Sequence, residues 1–282
     1  MKTVERKASE QWFESYATER GLDGADDHQP DLGGTAEPDF RVSRGDLSAI
    51  VEVKEFETSY LDRALKAGGS RNVVITGAEQ ELSTVRHKIG KAAKLQLRPY
   101  VDRGEPLIVC LANPRGVWVN LDSDEVLAAM YGDPGFVFDV DAATGEAVND
   151  VRFQFGRNGA FVDRHRYVSA VMTLHRGTYA AEVTERWYED NRPRWAGIED
   201  RTERAVAMLE ARDDDGLRAA EATPGEFYFV RVYETKGAAL GTAARVSPNL
   251  FDGPRDEFWQ VDPDTGTIAL LARGASIQDR TI

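Results

Sequence analysis

The fold of this chain is decided by two short segments, EPDFRV at residues 37–42 and AIVEVK at residues 49–54. Both have the apolar and β-branched character of strands, and the Arg44-Gly45-Asp46 stretch between them is a turn signal. The sequence therefore predicts a β-hairpin, and the charged side chains of this hairpin are the starting point for any functional argument.

The hairpin predicts a cluster of charged groups. Because side chains alternate along a strand, Glu52 and Lys54 project from one face, and Val51 and Val53 project from the other. Pairing of the two strands can place Asp39 beside Glu52 and Lys54. We therefore expect two carboxylates and an ammonium group close together on a rigid sheet.

Such a cluster suits the hydrolysis of phosphodiesters. Two neighbouring carboxylates repel each other, and a hard divalent cation relieves that repulsion. Mg²⁺ typically uses one or two protein carboxylates and leaves its other positions to water and phosphate, where it can polarise a phosphoryl oxygen. An adjacent lysine can stabilise the developing charge. The alternative is a salt-bridge cluster without a chemical role, which the residues alone leave open.

Parts of the motif also occur elsewhere in the chain. The [DE]xK string is found again at residues 5–7 and at residues 234–236. The first copy is expected on a helix, and the second has no Pro-Asp pair shortly upstream. Only the copy at residues 52–54 combines a nearby Pro-Asp pair with strand context on both sides.

The rest of the pattern predicts an α/β protein. A helix is expected over residues 5–20 and a long helix over residues 79–98, with Pro99 marking the end of the long helix. Further strands are expected at 107–111, 117–121, 136–140, 151–155, 167–174, 179–187, 226–234 and in a hairpin at 258–271, and further helices at 122–130 and 201–212. The expected domains are residues 1–132 and a β-rich C-terminal region, 133–282, of unknown role.

The order of helix, Pro-Asp strand, Glu-x-Lys strand, long helix and strand resembles the PD-(D/E)xK, or restriction-endonuclease-like, nuclease superfamily. The resemblance covers about residues 5–112. It implies a mixed sheet flanked by helices, a metal site at Asp39 and Glu52 for Mg²⁺ or Mn²⁺, and a role for Lys54 at the attacking water. The chain departs from the family in its poor strand signal before Pro38, where the family's sheet normally has another strand.

The resemblance also implies two further positions in the site. Many members carry a glutamate on the first helix that reaches the metal, and Glu10 and Glu14 are both candidates because they share one helix face. Glu14, which follows Phe13, is the favoured one. On the long helix, Gln96 lies in an apolar stripe and resembles a residue that the family presents to the active site. A glutamine hydrogen-bonded to the backbone is an equal alternative.

A basic row on the long helix predicts contact with phosphate. Lys88, Lys91, Lys94 and Arg98 fall on one side of that helix. A solvated helix face is the ordinary explanation of such a row. The chain, however, carries a net charge of −13 and has only eight lysines, so this clustering favours a surface that binds nucleic acid.

Other features restrict the range of functions. No apolar run approaches the roughly 18 residues that a membrane span needs, and the polar N-terminus does not look like a secretory signal, so a cytoplasmic protein is expected. The single cysteine, Cys110, lies in a predicted buried strand and is expected to be a core residue. The histidines lack metal-ligand spacing, and the turn at 163–166 is interpreted as a polar hairpin turn that could contact a phosphate.

The function expected from these observations is that of a Mg²⁺-dependent endonuclease acting on DNA, in restriction, defence or repair. RNA is the less favoured substrate, no membrane partner is expected, and homodimerisation is left open. One alternative is a non-catalytic module that binds nucleic acid or protein on a nuclease-like fold. A second is a salt-adapted binding or structural protein in which the motif is fortuitous.

Overall fold

The computed structural model describes residues 6–24, 38–57, 79–117, 119–132, 134–137, 140–141, 143–144, 152–155, 159–161, 164–211, 214–261 and 268–273. Its contacts divide the chain into two compact units, residues 1–174 with 230–282, and residues 175–229. The sequence had placed its division near residue 132 instead. The second unit is therefore a segment inserted into the first.

Nine strands form two sheets within the described residues. Their bounds are β1 Phe40–Arg44, β2 Leu47–Glu55, β3 Leu107–Ala112, β4 Pro134–Val137, β5 Arg152–Phe155, β6 Ala170–Thr178, β7 Glu226–Glu234, β8 Glu257–Val261 and β9 Ile268–Arg273. Seven of them form one sheet in the order β1-β2-β3-β6-β7-β8-β9, and β4 and β5 form a separate antiparallel pair. The chain is thus a mixed α/β protein.

Seven α-helices accompany these strands in the described residues. They are α1 Ala8–Glu19, α2 Glu79–Lys91, α3 Ser123–Tyr131, α4 Tyr179–Asn191, α5 Arg201–Glu210, α6 Asp215–Glu221 and α7 Lys236–Ala239. Within the described residues, no helix has both the length and the apolar character required to cross a membrane.

The predicted hairpin of β1 and β2 is confirmed. The two strands are antiparallel, with Phe40 opposite Val51 and Arg44 opposite Leu47. Gly45 in the turn has a φ of 56°, which a residue with a side chain adopts only with strain. On its other edge β2 pairs in parallel with β3, which pairs in parallel with β6. Parallel neighbours need a crossover, and α2 lies in the one between β2 and β3.

The two faces of β2 pack against different helices. Ile50 belongs to a buried core that includes Val85 and Ile89 of α2. The opposite face carries Val51, and the ring of Phe40, its neighbour across the hairpin, lies 4.8 Å from that of Phe13 on α1. Because the faces alternate along the strand, this part of the first unit has a helix on each side of its sheet.

The long helix is not a uniform α-helix. After α2 it continues as a π-helix, Ala92–Leu97, and then as a 3₁₀-helix, Arg98–Arg103. The π-helix ends at Leu97, close to the predicted end at residue 98, but the helical path does not stop at Pro99, because proline is tolerated in the first turn of a new helical segment. The helical path ends instead at Gly104, whose φ is 72°.

Two other predicted strands are absent from the described residues. At residue 117 and residues 119–121 the backbone is irregular, because the Asn113 side chain accepts a hydrogen bond from Val117 N and donates to Val117 O and Val119 O. Residues 179–187 form α4 instead, with Thr178 as its N-cap accepting from Ala181 N at 3.1 Å. The C-terminal half is accordingly both helical and β, and not simply β-rich.

The second unit consists mainly of α4, α5 and α6. Asp200 and Asp214 cap the N-termini of α5 and α6 through their carboxylates. Neither α4 nor α5 has a fully buried residue. A groove of about 540 Å³ in this unit is lined in part by Tyr188 and Trp195, and its lining includes none of the predicted site residues.

Asp256 connects α1 to the C-terminal strands of the first unit. Its Oδ1 accepts a hydrogen bond from Val230 N at 2.9 Å. Its Oδ2 accepts from Tyr16 Oη at 2.9 Å, Gly253 N at 2.8 Å and Arg20 Nε at 3.3 Å. The Asp256 side chain is almost fully buried, so water cannot readily replace it as the acceptor for these donors.

We expect Asp256→Ala to lower the free energy of unfolding by about 3–5 kcal/mol, because it leaves several buried donors and a partly buried arginine without their acceptor. Asp252→Ala is the control, since Asp252 pairs with Arg44 at a side chain that is 49% exposed. Its removal should cost about 1 kcal/mol or less. Urea denaturation measures both, and equal losses would contradict a special role for Asp256.

Candidate active site

The structure brings Asp39, Glu52 and Lys54 together. Asp39 lies in the bend immediately before β1, and its Oδ2 accepts a hydrogen bond from Val53 N of β2 at 2.8 Å. This bond holds the Asp39 carboxylate beside the strand that carries the other two residues. The Lys54 ammonium is hydrogen-bonded to Glu52 Oε1. All three side chains are largely buried, with Glu52 only 3% exposed.

The two carboxylates are electrostatically strained. Burial, and then the neighbouring charge of Asp39, raise the pKa of Glu52 to about 7, although Lys54 opposes the shift. Burial also raises the pKa of Asp39 despite the hydrogen bond from Val53. Glu52 Oε2 is buried and has no hydrogen-bond partner among the described residues. The ionised pair is therefore short of positive charge.

Of the two glutamates on α1, Glu10 lies at this cluster. It is 3% exposed, and its charge contributes to the raised pKa of Asp39. Glu14 pairs with Arg6, and its side chain is 27% exposed. The geometry thus favours Glu10, whereas the sequence favoured Glu14.

Lys7 is a member of the cluster that the sequence analysis missed. Its backbone N–H and its ammonium group donate to the two carboxylate oxygens of Glu10, at 3.1 and 2.9 Å. Burial alone would lower the pKa of Lys7, but the hydrogen bond to Glu10 and the charges of Asp39 and Glu52 raise it. Residues 5–7 had been assigned to a helix, yet Lys7 is an extended N-cap residue. Its spacing of three from Glu10, as in a capping box, was the available signal.

Gln96 lies on the π-helix, and its amide is incompletely satisfied. Its Oε1 is buried without a hydrogen-bond partner in the described part of the chain. The alternative in which Gln96 bonds to the backbone is therefore not seen at Oε1. Within the same residues no hydrogen bond joins Gln96 to Asp39, Glu52 or Lys54, and its role in the site stays a prediction.

The basic row begins near the carboxylates. Partial burial lowers the pKa of Lys88, Glu57 opposes this, and the ammonium groups of Lys54, Lys91 and Lys7 lower it further. These interactions show that Lys88 lies within electrostatic range of the cluster. Lys88 is thus the residue of the row that the structure links to the candidate site.

The far end of the row meets a turn around His165. Partial burial lowers the pKa of His165, and the charges of Arg164, Arg98 and Lys94 lower it further. Lys94 and Arg98 therefore lie within electrostatic range of His165, as Arg164 does. The row extends from the carboxylate cluster at Lys88 to this turn.

The residues present fit a hard divalent cation. Among the described residues no three acidic, histidine or cysteine side chains are already arranged as a metal-ligand set. Two carboxylates are sufficient for Mg²⁺, however, because water and phosphate complete its coordination. Asp39 and Glu52 supply hard oxygen donors, and Glu52 Oε2, which is buried without a hydrogen-bond partner among the described residues, can coordinate the cation. Glu10 is less available, since Lys7 occupies both of its oxygens.

No protein-family model matches this chain, and neither does any curated protein or solved structure. The functional argument therefore depends on the site itself.

We expect the raised pKa of Glu52 to make the free energy of unfolding of the metal-free protein depend on pH. A carboxyl group whose pKa rises from its ordinary 4.5 to about 7 on folding stabilises the protein below pH 4.5. That contribution is lost as the pH rises from 4.5 to about 7. Glu52→Gln, which cannot ionise, should therefore become more stable relative to wild type across this window.

Urea denaturation in EDTA at several pH values measures this difference. Glu226→Gln is the matched control, because Glu226 forms an exposed pair with Arg176 in the second unit. A difference between Glu52→Gln and wild type that stays constant with pH would show that Glu52 is not strained in this way.

Proposed function

We propose that this protein is a metal-dependent nuclease that hydrolyses phosphodiester bonds, with DNA as the favoured substrate and RNA as the less favoured one. The observation that supports the proposal most directly is the buried pair of Asp39 and Glu52 beside Lys54, with Glu52 Oε2 left unpartnered. Such a group is costly to maintain, and a bound cation together with an anionic substrate would offset the cost.

The surrounding topology supports the resemblance to PD-(D/E)xK nucleases. An antiparallel hairpin carries the motif, a parallel strand follows after a helical crossover, and a buried glutamate comes from α1. A single antiparallel bridge joins Asp23 to Ser43 of β1, with N···O distances of 2.9 and 3.0 Å. It lies in the region where the family's sheet normally has its additional strand.

In the proposed reaction Asp39 and Glu52 would hold Mg²⁺, and Mn²⁺ can substitute. Bound there, the metal supplies Lewis-acid activation of the phosphoryl group and of water. Lys54 is placed to donate a hydrogen bond to the attacking water or to a non-bridging phosphate oxygen, once its ammonium group leaves Glu52. Lys88 would neutralise part of the charge of the substrate near the cluster.

One observation favours a second candidate, a non-catalytic nucleic-acid-binding module. The protein's own lysines already neutralise part of the acidic cluster: Lys54 is hydrogen-bonded to Glu52, and Lys7 to Glu10. If these pairs persist when nucleic acid binds, the site would hold no metal and cut nothing. Metal binding and cleavage separate the two candidates.

We expect wild-type protein with Mg²⁺ or Mn²⁺ to cleave DNA, and Asp39→Ala and Lys54→Ala to reduce the rate by about 100-fold or more, because both remove groups that stabilise the transition state. Lys236→Ala is the matched control. Lys236 ends the other strand-associated [DE]xK string, whose glutamate, Glu234, is hydrogen-bonded to Arg245 at 2.9 Å.

Plasmid and single-stranded DNA serve as substrates, with single-stranded RNA assayed in parallel. Cleavage that survives in Asp39→Ala and Lys54→Ala, or that Lys236→Ala also abolishes, would overturn the assignment of the site. Cleavage of RNA alone would retain the site and change the substrate.

We also expect Mg²⁺ to stabilise the wild-type protein against unfolding and to leave Asp39→Asn unchanged. A ligand at 100 times its Kd contributes about 2.7 kcal/mol to the free energy of unfolding. Thermal denaturation with and without Mg²⁺ measures the effect, and Glu105→Gln is a carboxylate control outside the cluster, since Glu105 pairs with Arg41. Equal Mg²⁺ shifts in Asp39→Asn and wild type would exclude Asp39 as a ligand.

A further inference from the structure

The turn around His165 is attached to the π-helix by a specific arrangement. His165 Nδ1 lies 3.2 Å from Tyr167 Oη, and that hydroxyl donates to Ala93 O at 3.1 Å. The His165 ring also lies against the helix, because a Cβ added at Gly90 would be 4.0 Å from His165 Nε2. The turn is therefore held on the helix that carries the basic row.

His165 is held in an unfavourable backbone conformation. Its φ of 53° is the only positive φ of a non-glycine residue among those described. Such a conformation costs of order 1 kcal/mol or more and persists only where the surroundings impose it. Strain of this kind is concentrated at binding sites, and here it occurs in the residue that follows Arg164.

Three cations around this turn have no acidic partner among the described residues. Lys94, Arg98 and Arg164 are exposed, and none of them forms an ion pair within the described part of the chain. Several arginines elsewhere are paired with carboxylates, as Arg115 is with Glu55 and Arg245 with Glu234. In a protein of net charge −13, an unpaired cationic group of this size points to an anionic ligand.

The geometry of the helix and the turn leads to one assignment. We propose that Lys94, Arg98, Arg164 and His165 form a second phosphate-binding site, which holds the sugar-phosphate backbone of a nucleic acid that also reaches Lys88. The inference rests on the proposed function for the identity of the ligand. It adds Arg164 and His165 to the substrate-binding surface and makes Tyr167 a positioning residue.

The length of the row suits a nucleic-acid strand. Lys88 and Arg98 are ten residues apart, which is at most about 15 Å along the helical path, the rise of an α-helix of that length. One strand of a duplex rises by about 3.4 Å per nucleotide, so the row spans about four nucleotides. A strand with one phosphate near the carboxylate cluster would therefore place later phosphates beside the His165 turn.

The test is binding of a labelled duplex and of a single-stranded oligonucleotide in EDTA, measured by fluorescence anisotropy over a series of KCl concentrations. Arg164→Ala and Lys94→Ala are each expected to weaken binding by about 5- to 20-fold. Each should also reduce the slope of log affinity against log salt concentration by about 1, as loss of one phosphate contact predicts. Arg186→Ala is the control, because it removes a cation that is 69% exposed on α4.

Tyr167→Phe tests the attachment of the turn without changing the charge. It removes the hydroxyl between His165 and Ala93, so affinity should fall while the salt slope stays at the wild-type value. Wild-type affinity and slope in Arg164→Ala and Lys94→Ala, or no binding by the wild-type protein, would overturn the second site. Binding that depends on Arg164 and Lys94 in a protein that never cleaves would overturn the nuclease proposal and leave this site standing.

Discussion

The double pairing of β2 is the constraint on which the rest of the first unit depends. The strand is bonded on one side to β1 and on the other to β3, so its register is set twice. That register places Glu52 and Lys54 on the face that also carries Ile50, and Val51 and Val53 on the opposite face. A slip of one residue would exchange the two sets, so the same hydrogen bonds that build the sheet also assemble the charged cluster.

The sequence predicts this part of the molecule well, because the signals are local. A period of two along β2 is sufficient to place Glu52 and Lys54 side by side. Sequence patterns fail to predict the structure where contacts between residues distant in the sequence determine it. Lys7 joins the cluster through an N-cap conformation, for which its spacing from Glu10 is the only local signal. Residues 179–187 contain tyrosine, valine, threonine and tryptophan, which favour strands, yet the cap at Thr178 begins a helix there.

The charged cluster is maintained at the expense of stability. Buried carboxylates near one another are unfavourable, and neither Lys54 nor Lys7 fully compensates for them. The apolar packing of α1 and α2 on the two faces of the sheet must offset this cost. Functional sites often contain buried polar groups without full hydrogen bonding, and favourable interactions elsewhere in the fold offset their energetic cost. The same reasoning applies to the left-handed backbone of His165, which the contact between Tyr167 and Ala93 maintains.

The position of the second unit has an evolutionary consequence. It is inserted between β6 and β7, which are direct neighbours in the sheet, and Tyr179 N after β6 donates to Gly225 O before β7 at 3.1 Å, so a short turn could join the two strands in its place. Neither β1, β2 nor the helix crossover to β3 passes through residues 175–229. A connection of this kind tolerates insertions and deletions while the rest of the sheet keeps its register. Residues 175–229 and the hairpin of β1 and β2 can therefore change independently during evolution.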